Sequence, residues 1–262
     1  MKKIILATTL VFALSTPNVF GWGQSGHDAV AYIAELNLKP SAKKKIEAYL
    51  GNRPMAYYSI WMDVHRDTPG NEVLRGCHTA FVDDETLQYV PTDRRPDGDA
   101  VSMVEDCWAR LRDYKNLDDS TIVKNLYALI HILGDMHCPG HVYLNSSGSG
   151  QNKYPVTFMG IETTYHSVWD SRLVDAAHPR WCYTEWAHQL NKLNKHEIKR
   201  ITSGTPREWF HENAQSSRII YEWAPEGTDL DRDFVNVAQG LAERQIQVAG
   251  YRLAYILNDI FG

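Results

Sequence analysis

The sequence predicts an all-α protein: one mostly helical domain over residues 22–262, with a short β element near 155–160. Three observations carry this expectation. Apolar residues recur at three- and four-residue intervals through most of the chain, the signature of helices with one buried face. The two stretches that break the pattern, 83–98 and 145–154, are too short to link independently folded halves. Only 155–160, containing Val156, Thr157 and Phe158, places β-branched and aromatic residues between turn formers. With 44% hydrophobic and 23% charged residues, the 262-residue chain has ordinary globular composition, which excludes collagen-like tracts and bulk disorder.

The elements follow in order. Lys2 and Lys3 precede an apolar run from Ile4 to Leu14, too short to span a bilayer and ordered like an export signal. Residues 1–21 therefore read as a leader cut before Trp22. Helix 27–38 carries Val30, Ile33, Ala34 and Leu38 on one face. Helices 41–50 and 54–65 open at Ser41 and Pro54, residues suited to helix starts. Helix 99–115 follows the first irregular loop. Helix 119–136 aligns Ile122, Leu126, Leu129, Ile130 and Leu133. After the second loop come 166–177, 180–195, 206–223 opening at Pro206, and 230–258.

Charge and cysteine content restrict the chemistry. Lys and Arg total 27 against 32 Asp and Glu, giving −5, and loss of Lys2 and Lys3 with the leader would make it −7. Proteins that grip long duplexes do so with fields of basic residues, so this class is excluded, and any phosphate must be received by something else. Cys77, Cys107, Cys138 and Cys182 are an even number in an exported chain, which suggests two disulfides in one of three connectivities, or else buried thiols. No CxxC occurs, so neither a thioredoxin-type site nor a thiolate zinc knuckle is expected.

The segment His131-Ile-Leu-Gly-Asp135-Met-His137-Cys-Pro-Gly-His141 concentrates metal-binding side chains. Residues four apart share a helix face, so His131 and Asp135 can reach one cation, while Pro139 stops the helix and lets His141 return toward it. The spacing recurs at His166 and Asp170, again on an apolar background of Val168, Trp169 and Leu173, where unpaired polar groups are costly. Imidazole with carboxylate suits a zinc that keeps an open position. A cut before Trp22 would free an α-amino group beside its own carbonyl, a five-membered chelate, with His27 five residues on.

These residues form an ordered pattern: Trp22-Gly-x-x-Gly-His27, Ile60-Trp-Met-Asp63-x-x-Arg66, His78, His131-x-x-Gly-Asp135-Met-His137-x-Pro-x-His141, and His166-Ser-x-Trp-Asp170. The pattern resembles the S1/P1 nuclease family, secreted and mostly helical trinuclear-zinc phosphodiesterases related to zinc-dependent phospholipase C. The resemblance implies three zinc ions. One would be held by Asp63, His78, His131 and Asp135, and a second by the Trp22 amine and carbonyl, His27 and the shared Asp135. The third would be held by His141, His166 and Asp170. It implies single-stranded nucleic acid and 3′-nucleotides as substrates, 5′-phosphorylated products, and Arg66 as a phosphate contact. Asp83 would orient the attacking water, because Phe81 stands where the family has an Asp. Tyr143, with Tyr154 and Phe81, would stack on a base, and His137 would support the ligands by a hydrogen bond. Two departures adjoin the ligands: Cys138 replaces a common Gln, and Gly140 stands where Leu is usual. His65, His178, His188, His196 and His211 are expected outside the site. The expected protein is a periplasmic or secreted monomer without membrane association after processing. A phospholipase C would use the same metals but needs an apolar surface, which the polar loops do not suggest. A silent zinc-binding relative would have no use for an open coordination position.

Overall fold

A computed structural model describes residues 22–91, 98–147 and 153–262. The leader, 92–97 of the first loop and 148–152 of the second lie outside the described residues. The chain is mostly helical, as its periodicity requires. Helices α1 (Gln24–Leu36), α5 (Asp119–Asp135) and α11 (Arg232–Phe261) form the centre. The latter half of α5 is buried on all sides, from Ala128 to Asp135. The contact between α1 and α11 is close because Gly250 has no side chain: a Cβ there would stand 2.5 Å from Ile33 Cγ2.

Around this centre lie α2 (Pro40–Tyr49), α3 (Trp61–His65), α4 (Ala100–Leu111), α6 (Tyr165–Ser167), α7 (Leu173–Ala177), α8 (Tyr183–Leu190), α9 (Lys195–Ile201) and α10 (Pro206–Trp223). Several ends are fixed by side chains. Asp99 and Ser102 form a reciprocal capping box at α4, as do Thr205 and Glu208 at α10, where Pro206 occupies the first turn. None of the described helices is long and apolar enough to cross a membrane.

Helix boundaries differ from expectation where the backbone changes pitch. The span 54–65 divides into a 3-10 turn, Met55–Tyr58, and α3. The span 166–177 contains a π turn, Val168–Arg172, between α6 and α7. The span 180–195 ends early at Leu190, and α9 starts anew under an Asn194–Glu197 capping box. The single expected strand is one of six among the described residues. β1 (Ala80–Val82), β2 (Tyr89–Val90) and β3 (Val142–Leu144) form one sheet in the order β2-β1-β3; Phe81 pairs with Val90 on one side and Tyr143 on the other. β4 (Pro155–Phe158), β5 (Ile161–Thr164) and β6 (Asp229–Leu230) form a second, ordered β5-β4-β6.

The two expected disulfides do not form among the described residues, which include all four cysteines. Cys77, Cys107 and Cys138 are buried thiols and Cys182 is an exposed one. Each sits in a different environment, Cys77 against the Leu74 carbonyl and Cys107 against Met103, so an even count did not translate into proximity.

Candidate metal centre

The nine residues expected as ligands lie at the start of α1, in α3, just before β1, in the C-terminal half of α5, in the turn before β3, in α6 and in the π turn that follows it. Trp22 is fully buried, and the Gly23 amide donates to the Asp170 carbonyl, joining the start of α1 to the π turn. His27, in the first turn of α1, stacks on His131 of α5 with ring centroids 4.1 Å apart, and its Nε2 lies 3.4 Å from Asp135 Oδ1. Gly134 makes this approach possible, since a Cβ there would stand 2.9 Å from His27 Nδ1. Asp63 of α3 brings Oδ2 to 3.6 Å from His131 Nε2 and Oδ1 to 3.8 Å from His78 Nδ1. His78, just before β1, reaches Asp135 Oδ2 at 2.8 Å.

A second group adjoins the first. The 3-10 turn Pro139–His141 ends at His141, whose Nε2 lies 3.0 Å from Asp170 Oδ1, while His166 Nε2 lies 3.0 Å from Asp170 Oδ2. His141 Nδ1 is also 3.5 Å from Asp135 Oδ1, so Asp135 faces both groups.

Hydrogen bonds settle how these rings are presented. His131 Nδ1 donates to the Ser59 carbonyl at 2.7 Å, His78 Nε2 to Leu74 at 2.7 Å, His141 Nδ1 to His78 at 2.9 Å, and His166 Nδ1 to Gly140 at 3.2 Å. Each neutral ring then turns a lone pair, not a proton, toward the aspartates. His78 Nδ1 and His131 Nε2 are 3.1 Å apart and both face Asp135 Oδ2. Such an array of acceptors requires positive charge at its middle, either protons or a cation.

The electrostatics agree. Burial opposes charge on His131, but Asp135 and Asp63 outweigh it and push the ring up to about 9. Burial likewise opposes charge on His141, which Asp135 and Asp170 push up to about 9. Burial would raise Asp135, yet His131 and His141 hold it well below the usual carboxylate range. His27 is lowered, first by burial and then by His131.

A divalent cation fits the residues present. Both ring nitrogens of His27, both oxygens of Asp63, Asp135 Oδ1 and Asp170 Oδ2 are buried without a hydrogen-bond partner among the described residues. Leaving such atoms unsatisfied costs about 1–3 kcal/mol each, more for charged groups. Ligand atoms of His27, Asp63 and His131, of His78, His131 and Asp135, and of Cys138, His141 and Asp170 each lie within 4.8 Å of one another. Two nitrogen or oxygen ligands of one tetrahedral zinc are about 3.3 Å apart, the scale seen here. The backbone carbonyls behind the histidines are the partners that usually orient metal-bound imidazoles.

Other expected site residues are placed differently. Arg66 approaches the centre, its Nη1 3.7 Å from Asp63 Oδ1 with 19% of its side chain exposed. Asp83 caps the turn after β1: its Oδ1 accepts from the amides of Glu85 and Thr86 and from the Thr86 hydroxyl, which lower its pKa. The structure thus commits the carboxylate to the turn rather than to the histidine and aspartate groups. Tyr143 is 3% exposed and packs edge-on against Phe81, and Tyr154 stacks on Tyr165 while donating to Ala224, so these rings are engaged with one another and the core. His137 is buried but bonds away from the ligands, donating to Leu133 and accepting from Arg252 at 2.8 Å. His65 and His178 stack on Trp61 and Trp181, His211 donates to Leu87, and His188 and His196 are exposed. Sequence reasoning missed Cys138 as a neighbour of the third group; its one signal was its position between Asp135 and His141.

Known proteins resemble this chain over nearly its whole length. A model of the S1/P1 Nuclease family matches residues 22–262. Nuclease S1 of Aspergillus oryzae is 26% identical over 98% of this chain and 96% of its own length. Nuclease P1 of Penicillium citrinum is 26% identical over 92% of this chain and 98% of its own. Endonuclease 2 of Arabidopsis thaliana is 23% identical over 100% of this chain and 98% of its own. A match from the first buried residue at the centre to the C-terminus, with relatives aligned over nearly their whole lengths, places this chain in the S1/P1 nuclease family.

Proposed function

We propose that this chain is an exported, zinc-dependent nuclease that cleaves single-stranded DNA or RNA to 5′-phosphorylated products and removes phosphate from 3′-nucleotides. Family membership supports a nuclease. The observation that carries the metal dependence is the set of four imidazoles, each locked by a backbone carbonyl and aimed at buried, unsatisfied carboxylates.

In this reading Asp63, His78, His131 and Asp135 hold one zinc. The Trp22 amine and carbonyl, His27 and Asp135 hold a second, and His141, His166 and Asp170 hold a third. When bound, the metals supply a water activated near neutral pH and positive charge for the phosphate oxygens, which a processed chain of formal charge −7 (−5 before loss of Lys2 and Lys3) otherwise lacks. The protein supplies rigidity. Asp135 couples the sites, and each ring's far nitrogen is fixed, so the ligands are oriented before substrate arrives. Arg66, whose Nη1 lies 3.7 Å from Asp63 Oδ1, would contact a phosphate oxygen beside the metals. The ligands are almost fully buried, and no excess of basic residues offsets the distortion of a duplex, so a flexible single strand is the substrate that can present its backbone.

The test pairs metal content with hydrolysis. Exported protein never exposed to chelator should carry three zinc ions and cut single strands much faster than duplex. His141→Ala should lose zinc and turnover, and His188→Ala neither. One zinc or none, equal cutting of duplex, or faster hydrolysis of phosphatidylcholine would overturn the reading.

A further inference from the structure

Cys138 is the least expected residue beside the centre. It lies between α5 and the Pro139–His141 turn and is completely buried. Its backbone is clamped: Asn213 Nδ2 donates to the carbonyls of Met136 at 3.0 Å and Cys138 at 3.1 Å, and Ser217 donates to Pro139 at 2.8 Å. Its sulfur stands 3.9 Å from Asp170 Oδ1, the same oxygen that faces His141 Nε2 at 3.0 Å. The other oxygen of Asp170, which is 1% exposed, is buried without a hydrogen-bond partner. A Cβ on Gly140 would stand 3.1 Å from Trp169 Cβ and 3.7 Å from the sulfur, so the turn packs closely on both.

We infer that Cys138 is a fourth protein ligand of the metal held by His141, His166 and Asp170. The inference rests on the three-metal reading above and adds a sulfur to one site. With zinc–sulfur bonds of about 2.3 Å and zinc–oxygen bonds of about 2.1 Å, a tetrahedral ion sets sulfur and oxygen about 3.6 Å apart, within a few tenths of the spacing found here. Coordination breaks the S–H bond, sends its proton to solvent and forms the sulfur–metal bond, with no change in oxidation state. The other cysteines offer no such arrangement: Cys77 contacts the Leu74 carbonyl, Cys107 contacts Met103 and Cys182 contacts Thr184.

The consequence is a third site unlike the other two. Cys138, His141 and Asp170 offer ligand atoms within 4.8 Å of one another, and His166, which reaches the other oxygen of Asp170, would bring the protein ligands to four, the number that closes a zinc site. The added thiolate neutralises the remaining charge of the ion and favours soft metals. A phosphate oxygen must then enter as a fifth ligand or displace the sulfur.

Zinc K-edge X-ray absorption on the metal-replete, exported protein tests this without reference to activity. With zinc counted in the same sample, the expected result is three zinc ions and one sulfur scatterer at about 2.3 Å for every three zincs. Cys138→Ser should keep the three zincs, lose the sulfur, and bind cadmium in competition with zinc at least tenfold less well. Three zincs with only nitrogen and oxygen around them, or a sulfur that persists in Cys138→Ser, overturns the assignment and leaves the three-metal reading standing. Fewer than three zincs in the unaltered protein overturns both. If Cys138→Ser does not fold, the spectrum of the unaltered protein decides.

Discussion

Replacing Gly134 with alanine sets helix stability against ligand geometry. The added Cβ would stand 2.9 Å from His27 Nδ1, 3.1 Å from His27 Cε1 and 3.6 Å from Trp22 Cδ1. Non-bonded heavy atoms settle at about 3.5–4.0 Å, so the imidazole must retreat by roughly 0.6 Å. Within a helix alanine is favoured over glycine by up to about 1 kcal/mol, while overpacking a core typically costs about 1–3 kcal/mol. The net change is roughly 0–2 kcal/mol of destabilisation, which a chain with this much buried core should survive. A metal ligand tolerates displacement of only about 0.2 Å, so His27 should no longer reach its ion, with zinc affinity at that site lower by about 10–100-fold. Competition with a zinc chelator, alongside thermal unfolding and hydrolysis of single-stranded DNA, separates the two effects. A variant that folds, retains three zincs at the affinity of the unaltered protein and keeps full activity would refute the reasoning.

Three further outcomes are expected. One residue added before Trp22 should displace the chelating amine and abolish hydrolysis with little change in helical circular dichroism; full activity would remove the terminus from the site. Burial and Arg252 hold His137 down at about 3 against an ordinary 6.5, so the stability this neutral ring contributes is complete above 6.5 and is lost as pH falls toward 3. His137→Gln keeps an acceptor for Arg252 but cannot take up that proton, so its melting temperature should fall less steeply over this window, and parallel curves would count against the account. Asn213→Ala removes two buried hydrogen bonds to the segment before His141, which should cost about 1–3 kcal/mol and weaken zinc at the third site, measured by melting and by chelator competition.

The sequence disclosed the parts of this molecule that depend on neighbours along the chain. His131 with Asp135 and His166 with Asp170 are four residues apart, and local backbone geometry alone brings each pair within about 3 Å. That holds for the second pair even though its helix contains a π turn that periodicity does not reveal. Asp63 and His78 carry no local signal, and only the ordered pattern of a whole family points to them, because tertiary packing delivers both. The small sheets escaped for a related reason: β1 and β3 are three residues each and pair across some sixty positions of chain. Carbonyls such as Ser59 and Leu74, which fix the rings, cannot be read from sequence, since every residue has one. Cysteine parity misled because it counts thiols without locating them.

The chain beyond Asp170 carries no candidate ligand, yet the family match continues to residue 262. Its contacts explain why. Between Asp135 and His141 the backbone must leave a helix, turn and present a second imidazole, and five residues cannot hold that path alone. Asn213 and Ser217 of α10 take the carbonyls of Met136, Cys138 and Pro139. Arg252 of α11 donates to His137 in the same turn while bonding Ile201 and Glu212. On the opposite side Ser59 accepts from His131 through its carbonyl and donates through its hydroxyl to Asp28, tying α1 to the ligand of α5. Ligands drawn from distant elements stay within tenths of an ångström only if those elements are fixed to one another. The C-terminal helices therefore position the candidate metal centre through the turn they hold, and none of its candidate ligands comes from them.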